Sequence, residues 1–502
     1  MAFVQNFPFI CILLSLITGP VSSVLNGRAA KYLSAVMMTL VGIMSAAVFV
    51  FVLGSGQEYV YSMGHFPAPW GNEIRVGVLE AGMALFFCVV MLLCMLGGMM
   101  ETKAEIEESK RNLYYIMVNL LLCSLLALIY TNDLFTAYVF VEINTISACG
   151  LIMIRQNGRT IEAATRYMIM SLLGSGMLLL GICFLYALTG HLLMSNIKEQ
   201  VAILESTGAY QVPLLVTISL LCVGLAIKSA LYPFHTWLPN AYGYSTLSSA
   251  AILSSLVSKG YIFLLIKIFY RVIGIDIIRE SKVINVLFVF GVAGMIMGSL
   301  SAIRESDIRR MIAFSSVAQI GYIYMGFGLG TRAGMIASIY HILSHAATKA
   351  LLFISASGLT DASAKSKNFF SLTGSGYRNR LAGIAFTVGS LSMVGFPMFS
   401  GFISKILFAQ AAVQNRYKIL ITLFALALST ILNAVYYMKT VIRIYTPEDL
   451  EIIAKKGYTK IMLKDQPYKS AVMLCFIILN LLLGLSSDPI IRLIEQGIDM
   501  FA

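Results

Sequence analysis

Glu142, Lys228, Lys259, His341, His345, Lys349 and Lys405 are the residues whose chemistry stands out, because each lies inside a long apolar stretch. A charge at mid-bilayer costs roughly 2.5–3.5 kcal/mol on insertion scales, so such residues face a bundle interior or a wet cavity and often mark ion pathways. Lysine beside a carboxylate can hold and release a proton, and histidine exchanges protons near neutral pH. His341, His345 and Lys349 recur at i, i+4 and i+8, which places them on one helical stripe. That stripe fits a proton relay and also a structural polar seam; we read it as a relay. The two histidines have zinc-pair spacing, but Ile342 stands where a metalloprotease carries its glutamate, and no third ligand is evident. No metal is expected. Snorkelling near a helix end accounts for Lys267 and for Glu80.

The elements holding these residues follow from composition. The 502 residues are 58% hydrophobic and 12% charged, against about 25% charged in an average soluble domain. A soluble enzyme, a disordered chain and a nucleic-acid binder are excluded. Apolar runs of roughly 20 residues, enough to cross a bilayer, recur about fourteen times. They lie near 3–19, 29–53, 77–100, 113–130, 134–154, 164–188, 212–232, 246–270, 283–303, 311–329, 333–357, 380–413, 417–440 and 470–487. The expected fold is an all-α polytopic membrane protein. No Lys or Arg precedes the first run, which reads as a retained anchor and not a cleaved signal.

Of the 36 Lys and Arg residues, 22 fall in loops after odd-numbered spans and nine in the opposite loops, Arg271 among these nine. The positive-inside rule then places both termini outside. The remaining five are Lys228, Lys259, Lys267, Lys349 and Lys405.

Two spans carry breaks beside a lysine. In span 7, Lys228 is followed by Pro233, His235 and Pro239; in span 12, Gly395, Pro397 and Gly401 precede Lys405. Proline in a helix interior removes a hydrogen bond and kinks the axis, and non-helical backbone at membrane depth survives only inside protein or against water. The broken spans lie five apart, so spans 4–8 and 9–13 form two repeats of opposite topology. Paired interrupted helices point to a transport site. The domains expected are residues 1–112, an N-terminal three-helix segment; 113–270 and 283–440, the repeats; and 441–502, a cytoplasmic amphipathic segment with span 14.

Several other patterns carry no function. All eight cysteines fall within apolar runs and none forms a C-x-x-C, so no iron–sulfur or zinc site is expected. Gly326, Gly328 and Gly330 end a span with no strand before them, and close helix packing explains them better than a nucleotide loop. Thr446-Pro447-Glu448-Asp449 has the form of a helix start, and Leu450–Leu463 with Lys455, Lys456 and Lys460 reads as a basic surface helix.

At these residues the chain resembles the antiporter-like subunit family of Mrp-type multisubunit Na+/H+ antiporters, respiratory complex I and energy-converting membrane hydrogenases. The likeness rests on Asp133–Glu142, Lys228–Ala241, Ser306–Tyr322, His341–Phe353 and Gly395–Lys405, spread over roughly residues 75–440. Length looks most like the Mrp D-type subunit, with the hydrogenase versions close. The resemblance implies that Glu142 pairs with Lys228, that Lys259 is a central span-8 lysine, that His341, His345 and Lys349 form a span-11 relay, and that Lys405 is the span-12 charge. Asp133, Pro233, His235 and Pro397 support them. The sequence departs from the family at Asn240-Ala-Tyr242-Gly243-Tyr244, where Asp-Ala-His and prolines are usual.

The function expected is proton translocation by a subunit of a multisubunit ion-pumping complex, with no cofactor of its own. Partners are other membrane subunits, the bilayer, protons and, in an antiporter, Na+. Glu142 near Lys228 would hold the lysine charged, and their separation would pass a proton toward Lys259 and the span-11 stripe. The alternative is a quinone-interacting or redox-driven proton-pumping subunit of a complex I-like dehydrogenase or a membrane-bound hydrogenase.

Overall fold

Backbone inside a bilayer has no water to bond, so a chain this apolar must satisfy its own polar groups, and helices do so within each segment. The computed structural model describes residues 2–501 apart from 64–65, 67–70 and 449–456. Its principal helices are α1 (Phe7–Ser23), α2 (Gly27–Ser55), α3 (Val78–Gly97), α4 (Arg111–Tyr130), α5 (Leu134–Met153), α6 (Gly158–Thr189) and α7a (Gln211–Lys228) with α7b (Leu238–Tyr244). They continue with α8 (Leu247–Ile273), α9 (Val283–Arg304), α10 (Ile308–Gly328), α11 (Arg332–Asp361), α12a (Arg380–Val394) with α12b (Ser400–Val413), α13 (Ile419–Ile444) and α14 (Pro467–Leu485). Among the described residues, 12 helices are long and apolar enough to cross a membrane, while α1, α12a and α12b are apolar but shorter.

Helix starts follow local chemistry. Asn26 Oδ1 accepts from Ala29 N at 2.9 Å, Asp133 Oδ1 from Thr136 N at 2.6 Å and Asp307 Oδ1 from Arg309 N at 2.8 Å. Each side chain satisfies an orphan donor of a first turn. A two-stranded antiparallel sheet, β1 (Tyr59–Ser62) with β2 (Glu73–Val76), connects α2 to α3, with Tyr59 opposite Val76.

Burial separates the helices by role. α8, α10 and α11 lie almost wholly inside the protein, whereas α2, α6 and α13 present long apolar faces outward. α9 packs closely on α10: a Cβ on Gly291 would stand 2.4 Å from Met325 N, and one on Gly328 would stand 2.4 Å from Phe288 Cβ. Small residues permit that approach where the surroundings are as apolar as the helices.

Both expected breaks are present. α7a ends at Lys228, a turn runs over Phe234–Trp237, and the path resumes in α7b. α12a ends at Val394 and α12b begins at Ser400.

Other expectations need correction. Lys267 does not snorkel: it is buried and donates to Ile129 O at 2.9 Å and to Thr131 O, so it caps the end of α4. Glu80 does not snorkel either; it is buried against Arg271 Nη2 at 2.8 Å and accepts from Gly77 N. Arg271 is no loop cation but a buried residue at the end of α8, also paired with Glu58 at 3.0 Å. Lys469 is likewise buried, at the start of α14. Thr446 does not start a helix: its hydroxyl donates to Ile442 O, closing α13, and Pro447 and Glu448 are not helical. Residues 457–462 of the expected basic helix are not helical, and the stretch 449–456 lies outside the described residues. An amphipathic helix, Ser487–Phe501, was not anticipated; it packs on α3 and sets the Phe501 ring 4.1 Å from the Arg271 guanidinium.

Candidate functional site

The site begins where α5, α6 and α7a meet. Gly174 and Gly224 let α6 and α7a approach, since a Cβ on Gly174 would stand 2.9 Å from Gly224 O and 3.1 Å from Lys228 Cγ. Lys228 Nζ then lies 3.6 Å from Glu142 Oε1 and donates to Thr145 Oγ1 at 2.8 Å. Ser175 on α6 donates to the same Glu142 oxygen. Thr145 Oγ1 is 3.4 Å from Tyr261 OH on α8, which donates to Asn144 Oδ1 at 2.9 Å. A polar thread thus joins the α5 carboxylate to α8.

Lys259 stands two residues before Tyr261 and has no carboxylate partner among the described residues. It is buried, and its ammonium donates to Ser254 O and, at 3.4 Å, to Ser258 Oγ. The preceding turn, Leu253–Val257, is π-helical. Such a turn disturbs the i→i−4 ladder and is frequent at functional sites; here a lysine side chain bonds to one of its carbonyls. Ser254 Oγ lies 3.2 Å from Ser316 Oγ on α10.

The neighbouring residue, Ser315, accepts from Lys349 Nζ of α11, which also donates to Ile312 O at 2.9 Å and approaches Tyr437 OH at 3.4 Å. One turn earlier on α11, His345 is buried, and neither ring nitrogen has a hydrogen-bond partner among the described residues. Its ring stacks on His341 with centroids 5.8 Å apart. His341 Nδ1 shares a 2.6 Å hydrogen bond with Ser404 Oγ on α12b, and Tyr322 also stacks on its ring with centroids 5.4 Å apart. Lys405 follows Ser404, donating to Thr430 Oγ1 at 2.9 Å and to Val394 O. The break after α12a frees that carbonyl, and Gly395 has φ +90° there.

Of the seven central residues expected from sequence, Lys228, Lys259, His341, His345 and Lys349 are buried, and Glu142 and Lys405 are part-buried; they stand on α5, α7a, α8, α11 and α12b. Pro233 and Pro397 occupy the two breaks, His235 stacks on Tyr232 just beyond Lys228, and Asp133 caps α5 at its far end. Sequence reasoning missed the hydroxyl partners Thr145, Ser175, Ser258, Ser315, Ser404, Thr430 and Tyr437. The only signal was the serine-rich 245–258 stretch within an apolar run.

Bundle and buried charges define a polytopic α-helical membrane protein of the antiporter-like class. The family described as NADH:quinone oxidoreductase/Mrp antiporter, TM, matches residues 131–431, and the chain belongs to that family. It is 31% identical over 392 residues to NADH-quinone oxidoreductase subunit N of Desulforudis audaxviator, covering 78% of this chain and 76% of that protein. It is 25% identical over 445 residues to the D-type Na(+)/H(+) antiporter subunit of Alkalihalophilus pseudofirmus, covering 88% and 85%. A chain in the structure of the membrane-bound sulfane sulfur reductase, an archaeal respiratory membrane complex, superposes with a TM-score of 0.86 at 25% identity, covering 98% of this chain and 97% of that one.

Proposed function

We propose that the protein is a proton-translocating subunit of a multisubunit, Mrp-like membrane complex, and that Glu142, Lys228, Lys259, His341, His345, Lys349 and Lys405 with intervening water carry the proton. The observation that supports this most is the Glu142–Lys228 pair at 3.6 Å, linked through Thr145 and Tyr261 to the helix that bears Lys259. A lysine without a carboxylate at the centre is suited to accept and pass a proton. His345, whose ring nitrogens bond to no described protein group, is suited to exchange it with water.

In this reading Asp133, Pro233, His235 and Pro397 shape the ends and breaks of the spans. α4–α8 and α9–α13 are inverted repeats within fourteen spans, and residues 1–112 and 441–502 flank them. Both termini face outside the cell membrane, and neighbouring membrane subunits complete the path. Na+ is the counter-ion if the complex is an antiporter.

The test uses the assembled complex in sealed vesicles with a pH-sensitive dye. Lys259→Ala should abolish the pH-gradient signal while assembly stays normal; undiminished transport would sink the mechanism. A second reading, a redox-driven complex, is favoured by the likeness to NADH-quinone oxidoreductase subunit N. Purification of the native complex separates the two: iron–sulfur or hydrogenase subunits indicate redox drive, and small hydrophobic partners alone indicate an antiporter.

A further inference from the structure

We propose that a basic pocket at one end of the bundle binds the phosphate headgroup of an anionic phospholipid. The pocket, of about 540 Å³, opens where the first turns of α2 and α4 meet the short helix Met99–Glu105 and the start of α14. Arg28, Lys31, Lys103 and Arg111 line it, with Tyr32 and Tyr115, and no carboxylate is among its lining residues.

The four cations are unevenly committed. Arg111 is held in place by backbone carbonyls: its Nη2 donates to Lys103 O at 2.9 Å and its Nε to Ile106 O at 3.3 Å. Its one carboxylate neighbour, Glu108 at 3.7 Å, is 78% exposed and stands at the rim. Lys31 lies over the Tyr32 ring at 4.4 Å. Arg28 and Lys103 are exposed, and their side chains make no hydrogen bond or ion pair among the described residues. A fixed guanidinium beside two uncommitted cations suits a phosphate, which takes several charge-assisted hydrogen bonds at once.

Position selects the source of that phosphate. The pocket sits level with the ends of α2, α3, α4 and α14, where headgroups meet a bundle. From it, Tyr32, Val36, Leu40 and Ile43 run down α2 as one exposed stripe at i, i+4, i+8 and i+11. A headgroup in the pocket would lay its acyl chains along that stripe. Basic pockets between spanning helices are sequence-readable sites for anionic lipid. Free phosphate shares the headgroup chemistry but has no use for the stripe.

The complex containing this chain, stripped of lipid by detergent exchange, is titrated with phosphatidylglycerol or phosphatidylcholine in native mass spectrometry. Phosphatidylglycerol should bind at least about ten-fold tighter than phosphatidylcholine, and Arg28→Gln/Lys103→Gln should remove that preference. Neither residue is packed, so assembly should persist, and Arg28→Lys should retain the preference. Equal binding by wild type and double variant overturns the proposal. So does full displacement of the lipid by millimolar inorganic phosphate, which would make this a free-anion site. A cross-link from Lys103→Cys to a neighbouring subunit in a complex that retains no lipid there would assign the pocket to a protein and also overturn it.

Discussion

Glu142 Oε1 lies 3.6 Å from Lys228 Nζ, yet the lysine side chain is 0% exposed and the glutamate 26%. The carboxylate stays part-exposed while its partner is sealed inside. A pair at about 4 Å with an effective dielectric of 20 is worth about 4 kcal/mol, so movement of Glu142 changes the balance between charged and neutral lysine. Glu142→Gln should reduce vesicle transport by at least about ten-fold. Glu142→Asp, which keeps the charge on a shorter arm, should retain part of it. Equal rates for the two variants would show that the charge is not what matters.

The burial of Lys228, Lys259, His341, His345 and Lys349 was legible because an ionisable group inside a 20-residue apolar run is costly anywhere except a bundle interior. The breaks were legible for a related reason, since Pro233, Gly395 and Pro397 interrupt otherwise uniform spans. Their hydrogen-bond partners were not. Ser315, Ser404 and Thr430 look like any small polar residue of a helix, and only the packing of α10, α12b and α13 aims them at a lysine or histidine. Lys267, Glu80 and Arg271 were misread for another reason. Distance from a helix end says nothing about what covers that end, and here Glu58 and Phe501 come from remote parts of the chain.

Gly395 combines two constraints that can be separated. Its φ of +90° is strained for any other residue, and a Cβ would stand 2.8 Å from Lys405 Cδ. Gly56 has φ +66° with nothing within 4 Å. Both Gly→Ala changes carry backbone strain, on the order of 1–3 kcal/mol, and only Gly395→Ala also displaces Lys405. Both should lower the melting temperature of the purified complex, but only Gly395→Ala should impair transport. Loss of transport in Gly56→Ala as well would attribute the effect to instability.

Lys367 lies in the loop between α11 and α12a, donating to Gly243 O at 2.9 Å. Burial, aided by the positive charge of Arg309, pushes its ammonium down from 10.5 to about 7. Between those values the unfolded chain binds a proton that the folded chain does not, so this group's contribution to stability grows as pH rises above about 7 and is lost as pH falls back through it. The melting temperature should therefore show an upward component between pH 7 and 10 that Lys367→Met removes. An unchanged pH profile in Lys367→Met would assign the component elsewhere.

Lys469 ties the start of α14 to α11. Its ammonium contacts Glu101, meets Asp361 Oδ2 at 2.6 Å and reaches Ser357 Oγ at 3.4 Å, while Gln466 Nε2 donates to Asp361 at 3.2 Å. Removal of the cation leaves the Glu101 and Asp361 carboxylates close together without the ammonium that bridges them, and breaking a buried pair in this way costs about 3–5 kcal/mol. Lys469→Met should lower the melting temperature of the detergent-solubilised complex by several degrees or prevent its assembly. The triple change Lys469→Met/Glu101→Gln/Asp361→Asn removes the charges together and should recover most of the loss. If the triple variant is no more stable than Lys469→Met, the packing of the lysine stem, and not charge balance, holds α14 in place.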